Sequence, residues 1–220
     1  MNRLLVLDEG ISEDLIRERQ RLGNDRYDEV WDGVYVMPPM PNNFHQTLIH
    51  KFSRVFDAVI PEDGGIIQPG ANVSDRNTGW KRNFRIPDIL IVLAHGKAID
   101  RGTHWQSGPD FLVEVESPGD DTWEKLPFYA KIGSREVLIV HRDSRELTLL
   151  RLVDGEFVKV EATLLGGQLW LCSEVVPLAF RRVTVRRKPR TVVRRTDEQT
   201  GEWTVRNYPC SVGRVIASRS

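Results

Sequence analysis

The segment that most constrains this chain is ILIVLA at residues 89–94, a run without a polar side chain that follows directly on Pro87-Asp88. An apolar run of strand length, entered through a proline that pushes its neighbour toward extended backbone, reads as a strand buried on both faces. A second such run, FLVEVE at residues 111–116, follows Pro109-Asp110. Side chains alternate with period two along a strand, so Leu112, Glu114 and Glu116 share one face. Acids on an otherwise buried strand are costly unless something compensates them, and they need a chemical explanation.

The flanking segments supply the rest of a layered fold. Residues 12–23, SEDLIRERQRLG, start on a candidate cap at Ser12 and stop at Gly23, the punctuation of a short helix. YDEVWDGVYVM is strand-forming on both sides of Asp32-Gly33, a tight-hairpin dipeptide. In residues 44–60, Leu48, Phe52, Val55, Phe56 and Val59 recur at helical spacing and predict a helix with one core-packing face. REVLIVH predicts another buried strand, and LTLLRLVDGEFVKVEA a meander turning at Asp154-Gly155. Strands interleaved with helices give the α/β class, a mixed β-sheet flanked by α-helices.

At 220 residues the chain suits one large domain, taken as 1–183, with 184–220 as a basic extension that has the makings of a small hairpin around Gly201. A hydrophobic fraction of 40% is enough for a real core and excludes a disordered or fibrous chain. Lys+Arg and Asp+Glu balance at 31 each, yet residues 181–220 hold eleven cations against three acids. That tail reads equally as a nucleic-acid contact and as a solvated or subunit-binding arm. Cys172 and Cys210 match no zinc or disulfide spacing, and the first ten residues reach acids before any signal-like core develops. A cytoplasmic protein with no membrane association is therefore expected. No His pair has zinc-hydrolase spacing, and no nucleophile elbow or phosphate-binding glycine loop occurs.

The chemistry is concentrated at the acids. Asp88 opens one buried strand and Glu114 lies in the next, so their carboxylates, with Glu116 a step further, converge at one end of neighbouring strands. Hard divalent cations favour such oxygen donors, completing their shell with water and substrate phosphate. Asp110 lies four residues before Glu114, roughly 13 Å along the strand, and is the weaker partner. Competing readings are a surface acid for Asp88 and a salt-bridged acid for Glu114; for Glu116, structure and function weigh the same. Asp121, Lys125, Tyr129 and Gly133 recur every fourth residue and line one helix face. Pro127 sets the helix start near Glu124, with Lys125 at its positive end.

At these residues the chain resembles a known family. YDEVWDG, His45 at a helix start, RIPDILIV, PDFLVEVESP and DTWEKLPFYAKIGSREVLIV, in that order and spacing, are similar to the Uma-type restriction endonucleases of the PD-(D/E)XK nuclease superfamily. The likeness covers about residues 12–180 and stops before the basic tail. It implies a restriction-endonuclease-like core and Mg²⁺-dependent hydrolysis of DNA phosphodiesters, with Mn²⁺ as a substitute. It further implies Asp88 and Glu114 as metal ligands and the Val115 backbone carbonyl as another. Glu116 stands where the superfamily motif has lysine, and Lys125 on the following helix is the matching cation. Glu29 and His45 are accessory candidates. Tyr129 reads mainly as packing, with a hydroxyl contact to Glu116 or phosphate. A homodimer follows only by analogy with enzymes that cut both strands.

The Lys-to-Glu departure at Glu116 sustains a second reading, a catalytically silent nuclease fold that binds nucleic acid or serves assembly. A third, a glycosidase using Glu114 and Glu116, is disfavoured by the lack of any inferable sugar cleft.

Overall fold

A computed structural model describes residues 9–160, 163–165, 168–197 and 201–205. Helix α1 (Glu9–Leu22) is already running at Glu9, so Ser12 lies inside it and is not its cap, whereas Gly23, at φ 67°, ends it as predicted. The expected hairpin follows, Glu29–Trp31 against Val34–Val36. Asp32 and Gly33 both adopt positive φ, the turn geometry that matches strand twist. Asn42 caps helix α2 (Asn43–Asp57) by accepting the amides of Phe44 and His45. The inward stripe of α2 is Leu48, Ile49, Phe52, Val55 and Phe56, and Val59 is buried just beyond its end.

The main sheet contains β1 (Gly65–Pro69), β2 (Ile89–Leu93), β3 (Phe111–Glu114), β4 (Glu136–Val140), β5 (Leu147–Val153) and β6 (Glu156–Lys159), side by side in chain order. Every neighbouring pair is antiparallel except β3 and β4. A parallel pair needs a crossover, and the short helix α3 (Leu126–Ile132) lies within it. Alternation accounts for the apolar runs. Ile89, Ile91, Phe111, Val113, Leu138 and Val140 pack with α2 in one core. Leu90, Val92, Leu112, Val137 and Ile139 pack with Phe128 and Tyr129 of α3 in another. The fold is thus the mixed α/β class, its central strands covered on both faces.

Two smaller sheets complete it. One joins the N-terminal hairpin to Phe84–Arg85 and other short strands. The other is an antiparallel series of β7 (Thr163–Leu165), β8 (Gln168–Cys172), β9 (Leu178–Val185), β10 (Lys188–Arg195) and β11 (Glu202–Val205). Strand β9 runs across residue 183, and Phe180, Val193 and Val205 pack into the same core as α2. Cys172 is an exposed free thiol, and Cys210 lies outside the described residues. No helix among the described residues is long and apolar enough to cross a membrane.

Candidate active site

The pairing of β2 with β3 sets Ile89 opposite Val113 and Leu90 opposite Leu112. Continued by one residue, this register brings Asp88 opposite Glu114 at one end of the sheet, on the face that packs against α3. One Asp88 oxygen accepts the Val115 amide at 2.7 Å, tying the two strand ends together. The other lies 2.8 Å from Nε2 of His45, whose Nδ1 is 3.3 Å from the Ser117 hydroxyl. His45 sits in the first turn of α2, so the helix that fills one core also delivers a side chain to this edge.

Glu114 is enclosed. Its side chain is 4% exposed, accepts the Tyr129 hydroxyl at 2.6 Å and lies 3.4 Å from Nζ of Lys125. Lys125 ends a tight helical turn, Thr122–Lys125, immediately before α3, and Tyr129 follows one turn later, so the four-residue spacing works as expected. The Lys125 ammonium also meets Glu29 at 3.0 Å and the Ile86 carbonyl at 3.4 Å. Glu29 is held by the Ile86 amide at 2.7 Å and the Trp31 indole at 2.6 Å. Hairpin, strand entry and helix thus converge on one lysine.

Burial pushes the Glu114 carboxyl well above the usual carboxylate range, to about 8. Lys125 and the Tyr129 hydroxyl pull in the opposite direction, while the negative charges of Asp88 and Glu29 push further upward. Lys125 is held above the ordinary lysine range, because the attraction of Glu114, Glu29 and Asp88 outweighs its own loss of hydration. Burial beside those acids also raises the Tyr129 phenol, which stays a hydrogen-bond donor.

Two expectations change at this site. Strand β3 ends at Glu114 and Glu116 lies just beyond it, where its carboxylate accepts the Trp123 indole at 2.9 Å. The third acid gathered around Lys125, with Glu114 and Asp88, is Glu29 rather than Glu116, and Glu29 came only from the resemblance. The Tyr129 hydroxyl goes to Glu114 rather than to Glu116. Sequence reading also passed over Trp31, Ser117 and Arg85. The buried Arg85 guanidinium lies 4.5 Å from the Trp31 ring centre and 4.3 Å from that of Phe128, bracing the hairpin against α3. Nothing in local spacing links these residues, since they meet only through the strand register.

A hard cation fits this donor set in one form and not in another. Among the described residues no group of three or more His, Cys, Asp or Glu side chains is placed to hold a metal ion by itself. Mg²⁺, however, is ordinarily held by one or two carboxylates plus water and phosphate. Asp88 and Glu114 are the two carboxylates here that could serve as such a pair, and the upward push of Asp88 on Glu114 is a repulsion that a bound cation would relieve.

Residues 16–186 match the family model Uma2, described as "Putative restriction endonuclease". The chain belongs to this family. The Uma2 match takes in every residue of the site, from Glu29 to Tyr129. Among solved structures the fold is similar to one described as a putative nuclease belonging to DUF820 from Anabaena variabilis. The TM-score is 0.50 and the identity 15%, over 64% of this chain and 82% of that one. No curated protein matches the chain. Membership of Uma2 supports nuclease function in general terms, and the superposition supports the fold.

Proposed function

We propose that this Uma2 member is a divalent-metal-dependent endonuclease hydrolysing DNA phosphodiester bonds. The observation that carries the reading is the pair of strand-end carboxylates, Asp88 and Glu114, held opposite each other with one half-buried lysine beside them. Asp88, Glu114 and the backbone carbonyl of Val115 would hold Mg²⁺ or Mn²⁺. When bound, that ion supplies positive charge against the phosphodiester and makes water a stronger acid.

The chain's own groups do the rest. Lys125, one turn from Tyr129 and beside Glu114, offers a cation to a non-bridging phosphate oxygen as negative charge develops there. Glu29 keeps the ammonium in place, and the Tyr129 hydroxyl orients Glu114 while favouring its ionised form. His45 fixes one Asp88 oxygen and the Val115 amide the other, so the carboxylate plane is set before substrate arrives. Glu116, on the more open side next to Trp123, orients the attacking water. The reading extends to a homodimer, since two copies cut both strands most simply.

Plasmid nicking tests this directly, using wild type and Asp88→Ala at low salt with Mg²⁺, Mn²⁺ or EDTA. Cutting that needs metal and disappears in the variant is the expected result. Absence of cutting with either metal, together with retained DNA binding, would replace the enzyme with a silent binding module.

A further inference from the structure

Strands β9 and β10 pair along their full lengths, from Leu178 opposite Arg195 to Val185 opposite Lys188. Near the root other strands flank them: β8 pairs with Ala179 and Phe180, and β11 reaches Thr191. Between Arg182 and Arg190 the described residues form a two-stranded ribbon, and its end from Thr184 to Lys188 is exposed. Residues 178–195 contain eight Lys and Arg and no acid. Because the chain as a whole has 31 of each sign, the remainder is negative by eight.

The ribbon turns on Arg186 and Arg187, at φ 49° and 61°. Both occupy the left-handed region, where Asn-Gly is the favoured pair and arginine is strained. Strain retained at an exposed tip points to a role for the side chains themselves. Charge that only guarded a ribbon edge against aggregation could carry either sign. Here every charge is positive.

The ribbon leaves the body at the same end of the main sheet as the acids. Arg182 donates from Nε to the Ser144 carbonyl at 2.7 Å. Ser144 lies in the turn after β4, where the Arg142 amide donates to the Glu116 carbonyl at 2.8 Å, two residues from Glu114. The tip is four residues beyond Arg182, roughly 13 Å along the strand. We propose that this ribbon is a DNA-binding arm that enters a groove of the duplex and holds it beside Asp88 and Glu114 through contacts of Arg186, Arg187 and Lys188 with phosphates. The major groove of B-form DNA, about 12 Å wide, admits a two-stranded ribbon, whereas the deep, narrow major groove of A-form RNA does not. The proposal rests on the endonuclease reading for the substrate it names, not for the ribbon's charge or geometry.

The test uses the full chain and a labelled DNA duplex, with anisotropy read in EDTA from about 50 to 200 mM salt. A triple variant, Arg186→Asn with Arg187→Gly and Lys188→Thr, removes three charges and gives the turn its preferred residues, so loss of binding is not loss of fold. It should flatten the slope of log affinity against log salt by about 2–3 and weaken binding roughly 10–100-fold at the middle of that range. Arg186→Lys with Arg187→Lys should stay close to wild type. An unchanged slope and affinity in the triple variant, no binding by wild type, or tighter binding of duplex RNA or single strands would overturn the arm. Parallel nicking assays separate the two readings. Metal-dependent cutting with ribbon-independent binding defeats only the arm, whereas ribbon-dependent binding with no cutting defeats only the nuclease.

Discussion

Strand β3 carries a buried acid at each end, and the two are used differently. Asp110 precedes the strand and is 5% exposed. One of its oxygens accepts the Leu93 amide at 2.9 Å and the other meets Arg135 at 3.3 Å. It closes the chain where β2 ends, and its partners are a backbone donor and a half-exposed arginine. Glu114, at the far end, is equally buried, yet its partners are all side chains that titrate or carry charge, Lys125 and Tyr129 in contact and Asp88 and Glu29 nearby. Burial alone therefore does not single out a candidate catalytic acid. What separates the two is whether the surroundings satisfy the carboxylate with fixed donors or leave its charge in dispute among neighbours.

The largest effect expected from breaking this contrast is at the shared cation. Lys125→Met leaves Glu114, Glu29 and Asp88 clustered without their ammonium, which should cost about 3–5 kcal/mol in urea unfolding. Its pH dependence has a definite sign. A carboxyl whose folded pKa lies above its unfolded value destabilises the fold progressively as pH rises between the two. In wild type that penalty stops growing at about 8, where Glu114 is ionised. Without Lys125 the folded pKa is higher still, so the deficit should widen above pH 8. A deficit independent of pH would mean that Lys125 matters only for packing.

The two ends of β3 should then separate by substitution. Glu114→Gln keeps the shape and should lower nicking roughly 10²–10³-fold, the scale of losing one group that stabilises the transition state. Asp110→Asn should leave nicking within a few fold and cost about 1–3 kcal/mol of stability, since it weakens the acceptor for a buried amide. Equal losses of activity in both variants would show that the acid at the Glu114 end is structural too.

The legibility of these regions in the sequence follows the range of the forces involved. The apolar runs at 89–94 and 111–116 announced buried strands, because alternation and hydrophobicity are local signals, and β2 and β3 are where they were expected. The turns at Asp32-Gly33 and Asp154-Gly155 were equally readable, all four residues having positive φ. Lys125 and Tyr129 lay on one face by helical spacing alone. Strand β3 stops two residues short of the FLVEVE run, and nothing in the alternation shows that, because on the β2 side the Val115 amide is taken by the Asp88 side chain instead of a strand carbonyl. The Glu116 amide bonds Val140 across the sheet, while its side chain turns to Trp123. His45 meets Asp88 across 43 residues, and Glu29 meets Lys125 only because the hairpin folds under the strand entry. Such contacts depend on tertiary register, which no spacing rule encodes.

The smallest effect is also the most discriminating. If Glu114 is a metal ligand, protons compete with the ion for it, so Mn²⁺ affinity measured calorimetrically should rise with pH and level off near 8. Tyr129→Phe removes a donor that favours the charged carboxylate, so the rise should move to higher pH with little change in the plateau. Glu29→Gln removes a negative neighbour that disfavours it, so the rise should move to lower pH. A merely structural role for either residue would depress affinity at every pH without moving the midpoint. Opposite shifts from two substitutions on either side of Glu114 would assign the titration to that carboxylate, whereas shifts of the same sign would place it on another group.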